Sequence, residues 1–187
     1  MFFNNPPLIS LGQPPAPESV LLMRASYVTP DANDLKQTLS ANNTPETIVF
    51  NLLPLSSPDL QLDLATGETT ALKDFNGMVS LNVSVLRELS GSGNADWGMF
   101  IEVYDTGTSQ WVAYEGSLRP ITLDSQDTNE KRSVDYTVSV SVLAGQKFRW
   151  RHYTSDASRN VSITSFSVQG SIPASAGVIM SFWGIKP

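Results

Sequence analysis

The chain has no cysteine, which excludes disulfides and thiolate-held metals and leaves stability to packing and association. It has a single histidine, His152, so the side chain that most often moves protons near neutral pH is almost missing. Charged residues make up only 16% of the 187, and the formal net charge is −6. That balance offers no basic field to a phosphate backbone, so no nucleic-acid partner is expected. No apolar run approaches the roughly 20 residues that span a bilayer, so no membrane partner is expected either. The stretch Met1 to Pro15 lacks a positive n-region, and prolines break its apolar run, which makes it a poor secretion signal. The expected location is therefore the cytoplasm of the producing cell, or an assembly built there.

Catalytic signatures are also missing. The sequence contains no nucleophile elbow, phosphate loop, paired-histidine zinc motif or EF-hand loop. Asp105-Thr106-Gly107-Thr108 has the form found around an aspartic-protease carboxylate, but Asp-Thr-Gly-Thr-Ser is also an ordinary hairpin connection, and it is read here as a turn. His152 shares its parity with Phe148 and Trp150, which marks it as a core or interface residue. The expectation is a non-enzyme with no catalytic residue, no cofactor and no metal ligand. Three Asn-x-Ser/Thr triplets, at Asn42, Asn82 and Asn160, are read as chance in a chain rich in Ser and Thr.

Period-two alternation is abundant. Val134, Tyr136, Val138, Val140 and Val142 share one parity, and Asp135, Thr137, Ser139 and Ser141 the other, which describes a strand with one buried and one wet face. The alternation resumes with Phe148, Trp150 and His152 against Lys147, Arg149 and Arg151. A two-residue hairpin through Ala144 and Gly145 would set Val142 opposite Lys147, an apolar face against a charged one. Either the loop has an odd length, with Gly145 at positive φ, or the chain turns a corner into a second, facing sheet. Further strands are expected at Thr47–Leu53, Leu60–Leu64, Met78–Glu88, Gly98–Tyr104, Gln110–Tyr114 and Gly177–Ile185, with a bulge near Ser165 and a short helix over Asp31–Leu39. The sum is an all-β, two-sheet antiparallel sandwich of jelly-roll type with eight or nine strands.

Residues 1–23 differ from the rest. They hold five of the twelve prolines and one charged side chain, Glu18. Proline removes a backbone donor and fixes φ, so the segment is expected to run extended, partly as polyproline II. Its apolar side chains make it a docking arm rather than a solvated linker, with Phe2, Phe3, Pro6, Pro7, Leu8, Ile9 and Leu11 as the contact residues. The expected organisation is an extended arm and linker over 1–46 and a jelly-roll domain over 47–187. Two further candidates are a face formed by Lys147, Arg149 and Arg151, meeting another subunit or an acidic partner, and Trp97, beside the Gly-rich loop 90–94, as a glycan contact.

Phe75-Asn76-Gly77-Met78-Val79, Leu143-Ala144-Gly145-Gln146 and Phe166-Ser167-Val168-Gln169-Gly170 together resemble the tumour necrosis factor-like and complement globular-head jelly rolls. Those families carry a Gly-aromatic strand, a Leu-x-x-Gly-Asp corner and a late Phe-x-Gly strand; here Met78-Val79 stand for the aromatic and Gln146 for the Asp. The resemblance implies a homotrimer, and phage virions use similar domains as capsid decoration, head fibres and fibre tips. By that analogy the chain is expected to be a bacteriophage structural protein, located in the virion and assembled in the host cytoplasm. Its partners would be copies of itself and the major capsid protein or another virion protein. The alternative is a tail-fibre or receptor-binding adhesin whose head recognises a host surface glycan.

Overall fold

The computed structural model describes residues 18–28, 36–124, 128–165 and 175–186. In chain order the strands are β1 (Glu18–Tyr27), β2 (Gln37–Thr38), β3 (Glu46–Thr47), β4 (Leu52–Leu55), β5 (Leu60–Leu62), β6 (Thr69–Ala71) and β7 (Phe75–Arg87). They continue as β8 (Ala95–Asp105), β9 (Gln110–Ala113), β10 (Arg119–Leu123), β11 (Glu130–Val142), β12 (Lys147–Thr154), β13 (Val161–Ile163) and β14 (Val178–Lys186). One 3-10 turn, Ala157–Arg159, separates β12 from β13. The count exceeds the expected eight or nine because seven of the described strands are only two to four residues long.

The strands form two antiparallel seven-stranded sheets, a jelly-roll sandwich as expected. Sheet A runs β2-β13-β7-β14-β1-β4, with β11 also paired to β7; sheet B runs β10-β8-β12-β6-β5, with β3 on β12 and β9 on β8. The alternation in residues 134–142 does place β11 in sheet A, paired along β7 from Glu130–Arg87 to Val142–Phe75. The resumed alternation places β12 in sheet B, paired with β8. The chain therefore turns its corner between the sheets at Leu143–Gln146, where Gly145 has φ +86° and its N–H donates to the Ala71 carbonyl at 2.7 Å. Of the two alternatives left by the parity mismatch, the corner is the one that occurs, across a four-residue loop rather than an odd-length hairpin.

Three expectations need correction. The boundary at 46/47 is misplaced, because β1 lies inside sheet A, paired with β14 from Glu18–Lys186 to Tyr27–Val178 and with β4. Pairing with β14 ties down Val20, Leu21 and Met23, which the expected boundary puts in the arm, and of residues 1–28 only those before Glu18 fall outside the described part. Thr47–Leu53 is not one strand: the Ile48 N–H donates to Trp150 in sheet B, and three residues later the Asn51 N–H donates to Ser26 in sheet A. The chain crosses the sandwich here, and the Gln37 side-chain amide bonds both the N–H and the carbonyl of Val49 midway. Finally, Gln37 and Thr38 are strand rather than helix; the rest of that expected helix up to Leu35, and the late Phe166–Gly170 segment, lie outside the described residues.

The core is aromatic and spans the two sheets. Phe182 of β14 meets Phe75 of β7 and Phe148 of β12 at ring-centroid distances of 6.1 and 5.6 Å. Tyr136 of β11 meets Trp150 of β12 edge-on at 5.6 Å. Such aromatic pairs add to the area they bury and hold the sandwich in register. Gly77 is required by close approach, since a Cβ there would lie 2.0 Å from the Trp183 carbonyl oxygen.

Candidate functional site

With the inner faces filled, the two outer faces carry what the molecule can offer to others. On sheet A, burial alternates along β7, β11 and β14, so that Met78, Ser80, Thr137, Ser139, Ser181 and Trp183 point away from the core. The registers align them in rows: Leu21, Trp183, Met78 and Ser139 in one, Arg24, Ser181, Ser80 and Thr137 in the next. Among the described residues, charge lies toward the margins of this patch, at Arg24 and Asp135 and farther along β11 at Lys131. Met78 is 41% and Trp183 36% exposed, high values for large apolar side chains on neighbouring strands.

The outer face of sheet B is different. Arg149 and Arg151 stand on it, but neither is free to meet an acidic partner. Arg149 Nη2 and Arg151 Nε reach the same Glu102 carboxylate, at 2.7 and 3.6 Å. Arg149 also stacks on Trp111, 4.1 Å from the ring centroid, while Arg151 bonds Thr47 Oγ1 at 2.9 Å and the Pro45 carbonyl. The reading of Lys147, Arg149 and Arg151 as an open basic face is corrected accordingly: parity placed them on one face, and Glu102 directly across on β8 draws the two arginines into internal pairs. Lys147 alone is exposed.

What Arg151 helps to build is a groove of about 420 Å³ on this face. Phe100 of β8 and Tyr153 of β12 form its floor, Asn43 and Pro45 one wall, and Tyr114 and Leu118 another. Gly98 makes room for the floor, since a Cβ there would lie 2.6 Å from the Tyr153 ring. The far wall is a fixed turn. Buried Ser117 donates its hydroxyl to the Tyr114 carbonyl at 2.6 Å and accepts from the Ile101 N–H at 3.1 Å, and Gly116 takes φ +77°. Tyr114 and Leu118 are thereby held 54% and 46% exposed. Nothing in the linear sequence joins these residues, yet one signal was available: Phe100 and Tyr153 sit on the same parity as Glu102 and Arg151, so aromatic rings were due on an outer face.

Trp97 is not a surface residue. It is fully buried and its Nε1 donates to His152 Nδ1 at 3.3 Å. β8 begins at Ala95 rather than Gly98, so Trp97 falls in the strand with Met99 and Ile101 on the inward parity, and the glycan-contact reading is withdrawn. His152 is the core residue its parity indicated; burial pushes its pKa down to about 4. Asp105 opens the β8–β9 hairpin, accepting from the Gly107 N–H and the Thr108 hydroxyl, each at 2.8 Å. The Thr108 hydroxyl foremost holds this fully exposed carboxylate below its usual pKa. Phe2, Phe3, Pro6, Pro7, Leu8, Ile9 and Leu11 lie outside the described residues.

No protein-family model matches the chain, and no curated protein sequence matches it. Among solved structures, the chain is similar to Eiger TNF from S. frugiperda, with TM-score 0.52 and 10% identity over 87% of this chain and 91% of that one. It is also similar to murine APRIL, with TM-score 0.47 and 9% identity over 89% and 99%. At this identity the first likeness speaks to fold alone: the sandwich is a TNF-like jelly roll.

Proposed function

We propose that the chain is a non-enzymatic structural protein, a projecting jelly roll that associates as a homotrimer through the outer face of sheet A and decorates a bacteriophage capsid. The observation that carries the association is the uncharged patch of Ser80, Thr137, Ser139 and Ser181 beside Met78 and Trp183. Small side chains lose little entropy on being covered, and no charge there has to be stripped of water. The virion setting rests on the resemblance and on the composition of residues 1–17. In this reading Phe2, Phe3, Pro6, Pro7, Leu8, Ile9 and Leu11 dock on the major capsid protein or another shell subunit.

The mass of the purified chain tests the association: three copies are expected for the wild type, and a monomer with an unchanged circular dichroism spectrum for Trp183→Arg. A wild-type monomer at micromolar concentration would sink the reading. For the shell, a chain lacking residues 1–17 should keep its fold and mass and no longer co-sediment with capsids. The adhesin alternative loses its residue with Trp97, and a receptor-binding head would have to use other loops.

A further inference from the structure

The aromatic side chains of the groove on sheet B differ from others nearby in lacking a cation. Trp111 has the Arg149 guanidinium 4.1 Å from its ring centroid, and Tyr136 has that of Arg119 at 4.4 Å. Among the described residues no lysine or arginine stands over Phe100, Tyr114 or Tyr153, and none lines the groove. We propose that the groove binds a small quaternary ammonium ion of the choline type. Such an ion carries a full positive charge but no N–H, so aromatic rings and a carboxylate hold it better than hydrogen-bond acceptors do. The lining supplies that set: Phe100, Tyr114 and Tyr153, with Pro45 and Leu118 for the methyl groups and Glu115 as the one carboxylate. A sugar needs several convergent polar groups, and here the Ser117 hydroxyl is already committed to Ile101 and Tyr114.

The two arginines nearest the groove are engaged elsewhere. Arg119 stands across from Met99, an inward-facing position, and so points to the core side of the sheet, over Tyr136. Arg151 is drawn to Glu102, to Thr47 and to the Pro45 carbonyl. The walls are set before any ligand arrives, which lowers the ordering cost of binding. Ser117 fixes the turn that carries Tyr114 and Leu118, Arg151 holds Pro45, and the Tyr153 ring lies over Gly98. A volume of about 420 Å³ falls within the range of small-molecule sites. A phosphate joined to the ion would bring a second anion beside Glu115, with no lysine or arginine in the lining to meet it. The ligand is therefore the free ion rather than a phospholipid headgroup. This site goes beyond the association through sheet A and does not depend on it.

The full-length chain provides the test, with choline chloride as the probe. Its control is dimethylbutanol, the neutral isostere in which carbon replaces the nitrogen, and both are followed by saturation-transfer NMR on their methyl signals. Choline should bind about tenfold more tightly than the isostere, the scale expected for a cation held over aromatic rings. Tyr114→Leu and Glu115→Gln should each weaken choline by about threefold or more and leave the isostere nearly as it was. Both side chains are exposed, so the circular dichroism spectrum should match the wild type. Equal binding of choline and the isostere would overturn the proposal, because the groove would then select for apolar surface alone. So would choline binding that both variants leave unchanged, phosphocholine binding more tightly than choline, or no saturable binding of choline at all.

Discussion

The two outer faces of the sandwich solve the same exposure problem in opposite ways. Sheet A presents small uncharged side chains in straight cross-strand rows, with Met78 and Trp183 as its large members. Sheet B presents arginines and aromatic rings, locks the arginines onto Glu102, and leaves a shaped groove between the rings. A flat face low in charge suits broad contact with a like surface; a face braced by internal ion pairs suits capture of a small ligand. The comparison shows that basic residues on a strand parity do not by themselves make a basic surface, because what stands across the ladder decides whether the charge is presented or consumed.

The comparison can be broken most strongly from beneath, where both faces share one core. Trp97→Ala should cost about 3–5 kcal/mol, the usual range for a large aromatic removed from a packed interior. Urea unfolding measures it, and a loss under about 1 kcal/mol would mean that the core under sheet B is not close-packed. It should impair both faces together.

A second test uses pH. His152 is neutral in the folded chain, with a pKa near 4 against an ordinary 6.5, so the unfolded chain takes up its proton more readily. Its contribution is fully present above pH 6.5 and is lost as the pH falls toward 4, by about 3 kcal/mol at roughly 1.4 kcal/mol per unit. Stability against denaturant should decline across that window, and His152→Asn, which keeps an acceptor for Trp97 without titrating, should flatten the decline. An equally steep decline in the variant would assign it to other groups.

The mildest and most selective test is Glu102→Gln. It leaves Arg149 and Arg151 half-buried without their carboxylate and should cost about 1–3 kcal/mol. Because Arg151 also holds Pro45, the groove should loosen while association through sheet A stays unchanged. Loss of trimer mass in this variant would show that the two faces are not independent.

How much of this could be read from the chain depended on range. Alternation at 134–142 and 147–153 gave two strands, and their parity mismatch gave the corner at Gly145, because strand faces and turn geometry are local. Pro54 lies in β4, an edge strand of sheet A, where a missing backbone donor is tolerated. The break between β3 and β4 was hidden because Ile48 and Phe50 are buried while crossing between sheets, so a continuous apolar run imitated a strand. Trp97 was misplaced by treating the residues after Gly93 as loop up to Gly98. The fate of Arg149 and Arg151 depended on Glu102, 47 and 49 residues away in sequence, and the groove joins segments near 43, 100, 116 and 153. Periodicity names a face, and it carries no information about which distant residue stands across from it.

The pairing of β1 with β14 sets an order of events. Sheet A has β1 and β7 flanking β14 on its two edges, so neither has its full complement of neighbours until residues 178–186 have been synthesised. β7 can pair early with β11, forming a long ladder whose other edge stays open. During translation that edge and the edge of β1 that awaits β14 would present apolar, hydrogen-bond-hungry strands to the cell. Completion of β14 closes the sheet between its two waiting partners, and the smooth outer face that carries Trp183 exists only from that moment.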